Sequence, residues 1–294
     1  MTAPAELARH PAPAWAAAPI WAAALAAAAF ITMDATIKSL TPRYGTVQLS
    51  FFRFASGAAF AVLVWGWWRT PMPDASQWRM HGLRSVLLMV TLGLYFHALS
   101  LLDLAQAVAM GYTAPIFISL LAMLLLRERP SRWIWGALAL GFVGAMIALA
   151  PELRQGGTPR LEGLAYAGLS AVAFAFVMVL TRQQAQRDTL PTFLLLQNLL
   201  PMVMLALPAA WAWQPVPATD LPVIAAMGAL ASVGLVAITW ALRHMEVSRL
   251  APVEYSGFLW AAFVGYIAFG EVPSVYTLAS AVAIVAGCLL LLRR

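Results

Sequence analysis

The sequence is short of charge, of cysteine and of histidine, and each shortage excludes something. Asp, Glu, Lys and Arg make up only 10% of the 294 residues, against about 25% in an ordinary soluble domain. Too few charges remain to cover a water-exposed surface, so a soluble enzyme is excluded. The single cysteine, Cys288, rules out a disulfide scaffold. Four scattered histidines, His10, His81, His97 and His244, offer no metal-ligand spacing, and Gly-x-Ser-x-Gly, His-Glu-x-x-His and phosphate-loop motifs are absent. No catalytic residue, metal or cofactor is therefore expected, and an intramembrane enzyme is only the competing class. No filter-like loop or ring of charge suggests a channel. Segments of about ten alternating residues, the mark of a β-barrel, are missing too.

What is abundant is apolar. The apolar share is 62% and the mean hydropathy is +0.80. Ten apolar stretches can be drawn, at 15–36, 46–68, 81–101, 103–125, 132–150, 161–181, 190–212, 221–242, 248–269 and 274–292. At about 20 residues per crossing, ten helices leave only about 90 residues for tails and loops. The expected fold is an all-α integral membrane protein of ten transmembrane helices. The Ala-rich first stretch is read as a retained span rather than a cleaved leader.

Thirteen of the Lys and Arg residues fall in the tails and in the loops after spans two, four, six and eight, and four fall on the other side. By the positive-inside rule both termini are cytoplasmic, in a multi-pass protein of the cell (inner) membrane. The pI of about 10.0 thus reports topology and lipid contact, not nucleic-acid binding. Trp65, Trp67, Trp68, Trp133, Trp135, Trp211 and Trp213 sit at span ends, as an interfacial belt does.

Sliding the chain by 143 residues lays 102–149 on 245–292 without a gap. Tyr112 falls on Tyr255, Glu128 on Glu271, Pro130 on Pro273, Ser131 on Ser274, Gly144 on Gly287 and Leu149 on Leu292. Five spans per copy is odd, so the second copy, 161–294, enters the membrane upside down relative to the first, 1–150, across a linker at 151–160. Inverted repeats supply two nearly equivalent packings around a midplane site, which is the requirement of alternating access.

Ala-Met-Gly-Tyr-Thr-Ala-Pro (109–115), Arg-Glu-Arg-Pro (127–130), Trp135-Gly136 and Leu140-Gly141-Phe142-Val143-Gly144 resemble the EamA-type repeat of the drug/metabolite transporter superfamily. The second half repeats it as Ala251-Pro252, Gly270-Glu271-Val272-Pro273 and Ala286-Gly287. Phe258 stands where the first copy has Pro115, so any bend in span nine falls to Pro252. The resemblance implies a ten-helix exporter of small metabolites, most similar to the branch that exports aromatic and neutral amino acids. Cationic drugs and nucleotide-derived metabolites are the alternative cargo. A monomeric unit is compatible with the sequence.

An ionisable group within a span costs about 2.5–3.5 kcal/mol, so each is a functional suspect. Asp34 and Arg53 lie near the outer ends of spans one and two, placed to pair or to couple transport. Glu254, two turns into span nine, suits a substrate ammonium or a travelling proton. His97 is a candidate proton carrier. Tyr95, Tyr112, Phe176, Trp240, Tyr255 and Trp260 are candidate cavity walls, with Tyr112 and Tyr255 singled out by the duplication. Glu128 and Glu271 are read as capping residues, and Gly141 and Gly144 as packing glycines. Few fixed charges, several hydroxyls and aromatic walls predict broad specificity at modest affinity.

Overall fold

The computed structural model describes residues 17–102, 110–155, 161–270, 272 and 274–291. Within them the chain forms helices α1 (Ala18–Leu40), α2 (Thr46–Trp67), α3 (Ala75–Leu101), α4 (Ala114–Leu125), α5 (Arg132–Gln155), α6 (Leu161–Arg187), α7 (Leu190–Trp211), α8 (Leu221–His244), α9 (Ser256–Phe269) and α10 (Val275–Leu291). No strand occurs among the described residues. Helices are what an apolar chain must form in lipid, where no water satisfies an open backbone group. Where loops meet water, side chains mark the starts. Asp74 and Gln77 form a capping box on α3, and Thr189 caps α7.

Among the described residues, six helices are long and apolar enough to cross a bilayer. Apolar side chains such as Leu63, Leu124, Leu207, Ile267 and Val282 point outward, as they must toward hydrocarbon. Trp67 and Trp211, 86% and 90% exposed, end α2 and α7.

Several spans differ from their sequence-drawn limits. Helix α5 continues through Pro151 to Gln155, and α6 reaches Arg187. The expected helix at 248–269 is broken: a single turn, Val247–Leu250, leads into a 3₁₀ segment, Ala251–Tyr255, before α9 starts. Pro252 lies at the break, where it has no N–H to continue the helix. In the other half, Tyr112 and Thr113 form a turn just before α4. The tight hairpin expected at Leu102-Asp103, and Glu271 and Pro273, fall at least partly outside the described residues.

Helix pairing has an internal symmetry. Helix α1 packs on α8 and α3 on α6; α4 packs on α6 and α9 on α1; α2 packs on α7 and α5 on α10. Exchanging each helix with the one five places along reproduces the same set of pairs. Equivalent helices meet antiparallel. A Cβ on Gly144 would lie 3.1 Å from the Ser280 carbonyl oxygen, and one on Gly287 would lie 3.0 Å from that of Ala137. Ala137 and Ser280 are themselves 143 positions apart, so the two glycines make one contact seen from both sides. Close crossings of this kind need small residues. Arg127 and Gly270, also 143 apart, both end their helices in the left-handed region, with φ of 56° and 69°.

Candidate functional site

Helices α3, α4 and α6 leave a cavity of about 370 Å³ between them, lined by Thr91, Tyr95, Gly111, Tyr112, Pro115, Ser170, Phe174 and Glu254 among others. Its walls follow from helical spacing. Thr91 and Tyr95 are one turn apart on α3, and Ser170 and Phe174 one turn apart on α6. The buried Ser170 hydroxyl donates to the Thr91 carbonyl at 2.9 Å, tying the two walls together. Tyr112 enters from the turn before α4, and Glu254 from the 3₁₀ break. The Glu254 carboxylate makes no hydrogen bond or ion pair to any described residue.

The two repeat-equivalent tyrosines meet. The Tyr255 hydroxyl donates to the Tyr112 carbonyl at 3.0 Å, and the rings lie 6.0 Å apart. Two equivalent residues can touch in this way only beside the axis that relates the halves. Tyr255 is fully buried and lies over Gly141, where a Cβ would come within 2.2 Å of its ring. Glu128 reaches across from the α4–α5 loop. Its two carboxylate oxygens accept from the Val247 and Ser248 amides at 3.0 and 2.9 Å, which fixes the start of the broken segment that carries Glu254.

Of the residues singled out in the sequence, Tyr95, Tyr112 and Glu254 lie on the cavity wall and Tyr255 packs behind it. The others lie elsewhere. His97 is exposed, with its ring edge-on to Tyr166 at 4.4 Å. Phe176 is 37% exposed, and Phe174, two residues earlier and so on another face of α6, holds the wall instead. Trp240 stacks on His244 beside an apolar groove. Trp260 donates to the Thr32 hydroxyl at 2.8 Å. Neither Asp34 nor Arg53 belongs to an ion pair within 4.0 Å among the described residues; Arg43–Asp220 is such a pair, and the His81 imidazole meets Asp188. Thr91, Ser170 and Phe174 were missed. Their signal was spacing on two facing helices, which becomes legible only once α3 and α6 are known to pack.

Two polar clasps close opposite ends of the bundle. Asp220, at the start of α8, accepts from Arg43 and from the Tyr44 hydroxyl at 2.7 Å. Those two donors hold its carboxyl below the ordinary carboxylate range, while Asp220 raises the Arg43 and Tyr44 values. At the other end, beyond the length of α7, Asp188 accepts from Gln77 at 2.9 Å and from His81 at 2.7 Å. Arg243 adds a bond to the Asp188 carbonyl.

A pairwise helix packing that maps onto itself, around a polar-edged cavity, is the geometry of a two-repeat carrier. The model of the EamA-like transporter family matches residues 16–150 and again 161–293. The chain belongs to the EamA-like transporter family. Among relatives of this EamA-like transporter are the pseudopaline exporter CntI of Pseudomonas aeruginosa, 29% identical over 92% of this chain and 94% of that one. An S-adenosylmethionine uptake transporter of Rickettsia bellii is 24% identical over 88% of each chain. A solved crystal structure superposes with a TM-score of 0.75 at 21% identity, covering 94% of this chain and 95% of the other, which shows the shared fold. The EamA-like chain is thus a membrane transporter of small molecules, not an enzyme.

Proposed function

We propose that this transporter exports amino acids, aromatic and neutral ones with broad specificity, by alternating access through the α3–α4–α6 cavity. The observation that carries the reading is the Glu254 carboxylate, on a wall that is otherwise uncharged and holds two tyrosines, a phenylalanine, two small hydroxyls and small apolar residues. A carboxylate offers an ammonium its counter-charge, tyrosine rings accept an apolar or aromatic side chain, and loose packing around that side chain gives breadth rather than affinity. The cavity volume falls within the range of small-ligand sites. In this reading two halves, 1–150 and 161–294, rock about the Tyr112–Tyr255 contact, with 151–160 between them. Both termini face the cytoplasm of the inner membrane.

The test is counterflow in proteoliposomes loaded with phenylalanine. Labelled phenylalanine should exchange, neutral amino acids should compete, and Glu254→Gln should lower the flux at least tenfold. No exchange of any amino acid would overturn the assignment. The relative named as an S-adenosylmethionine transporter favours a second reading, in which the cargo is a nucleotide-derived cation. S-adenosylmethionine is therefore the control solute, and flux of it alone would select that reading.

A further inference from the structure

Between the central cavity and the Asp188 clasp lies a buried cation whose bonds are incomplete. Arg84, on α3, is 1% exposed. One nitrogen, Nη2, donates to His81 Nδ1 at 3.1 Å, and the guanidinium lies 4.9 Å above the Phe193 ring. With Nδ1 accepting, His81 carries its proton on Nε2 and donates to Asp188 at 2.7 Å. The Nε and Nη1 donors of Arg84 have no partner among the described residues. Gln184, on the facing helix α6, is 3% exposed, and neither end of its amide is bonded. An unmet buried donor costs about 1–3 kcal/mol, and more when charged. Arg84 and Gln184 together leave three donors and one acceptor unmet on the two packed helices.

The seam between these helices has a direction. Arg84 and Thr91 are seven residues apart on α3, two turns on one face and about 10 Å along the axis. Thr91 lines the central cavity. Gln184 lines a second cavity, of about 180 Å³, with Gln77, Arg187 and Asp188 at the end of the bundle. Along α3, Arg84 falls between Thr91 at the central cavity and Gln77 at the second, whose wall Gln184 forms from α6. Phe193 and His81 flank the guanidinium, so it is screened from bulk water. The ligand that suits surplus donors on a fixed positive charge is an oxyanion, and a guanidinium binds a carboxylate with charge-assisted bonds.

We propose that Arg84, assisted by Gln184, is a carboxylate-binding subsite on the path between the central cavity and the Asp188 end, closed in this conformation by the Gln77–His81–Asp188 clasp. It rests on the amino-acid reading only in taking a carboxylate as part of the cargo. Glu254 holds the ammonium in the central cavity, and Arg84 takes the carboxylate about two turns further along. The two sites act in succession, since an α-amino acid is too short to span both. The clasp must open for release, so Asp188→Asn is expected to speed carboxylate entry from that end.

The test uses the full chain in lipid nanodiscs and three probes: sodium 3-phenylpropionate, which has a carboxylate and no ammonium; phenethylammonium chloride, the reverse; and sodium chloride at equal ionic strength. Phenylpropionate should raise the unfolding temperature of the unmodified protein above the chloride control. Arg84→Gln should weaken its apparent affinity at least tenfold, and Arg84→Lys less. Phenethylammonium should respond to Glu254→Gln and not to Arg84→Gln. An unchanged phenylpropionate response in Arg84→Gln, or no response in the unmodified protein, would overturn the subsite. Should Arg84→Gln not fold, Gln184→Leu serves, with an expected loss of at least threefold and an unchanged response counting against the proposal. If phenylalanine fails to exchange in liposomes while the Arg84-dependent response stands, the cargo assignment falls and the subsite remains.

Discussion

The two clasps at opposite ends of the bundle do the same job with different materials. Both join the start of a helix to the loop that packs beside it, α3 to the α6–α7 loop and α8 to the α1–α2 loop. These are equivalent places in the two halves. At one end the donor side chain is 0% exposed and the carboxylate 7%. At the other the carboxylate is 5% exposed, but its arginine is 60% exposed. The aspartate also changes sides: Asp188 lies in the loop and Asp220 on the helix. A duplicated fold therefore conserved the tie and not its chemistry. The exposed guanidinium is solvated in either state and can let go cheaply, whereas the imidazole–carboxylate pair must be rehydrated to open. The Asp188 tie is thus the one buried on both of its sides.

That asymmetry can be broken directly. Asp188→Ala should be the most damaging change, about 2–4 kcal/mol, because it leaves His81 and Gln77 without their acceptor; thermal unfolding followed by tryptophan fluorescence would measure it. A smaller loss from Asp188→Ala than from Asp220→Ala would reverse the ranking and remove the contrast. Glu128→Ala should come next, at about 1–2 kcal/mol, since two backbone amides of the broken segment lose their cap. It should also depress transport, because the same segment carries Glu254.

Acid should sharpen the difference. The Asp220 carboxyl is held below the usual value of about 3.9, so its contribution is complete above that value and disappears as pH falls through the lowered one. Asp220→Asn should therefore lose less thermal stability than the unmodified protein between pH 7 and pH 3. Equal losses would mean that the Arg43–Tyr44 tie contributes nothing. The smallest effect is expected at the end of α4. Arg127 holds a φ of 56° where its repeat partner is Gly270, so Arg127→Gly should relieve strain and stabilise by about 1 kcal/mol or less. A destabilised variant would show that the arginine side chain holds the loop.

Much of the architecture could be read from residue order. The apolar runs located the helices, and the shift of 143 residues paired Tyr112 with Tyr255 and Gly144 with Gly287 before either pair was seen to lie in equivalent contacts. Glu128 was legible as a cap because a carboxylate at a helix boundary has few other uses. The cavity was less legible. Phe176 and Phe174 are both plausible on a uniformly apolar helix, because periodicity carries no information when every face is apolar. Trp240, Trp260 and His97 had the right chemistry, yet no sequence rule gives the rotation of a helix about its own axis. Arg84 was counted among the orientation charges, since a basic residue near a span end looks the same whether it meets water or Phe193.

Composition and span length determined on their own that this chain is an all-α membrane protein, because lipid leaves an apolar backbone little alternative, and the shift of 143 residues showed that it carries two copies of one repeat. Which side chains face one another was decided only in the assembled bundle. There Pro252 breaks a span and sets Glu254 on a cavity wall, and the crossing of α3 with α6 joins Ser170 to Thr91, since helix rotation and crossing are fixed by packing between segments distant in the chain.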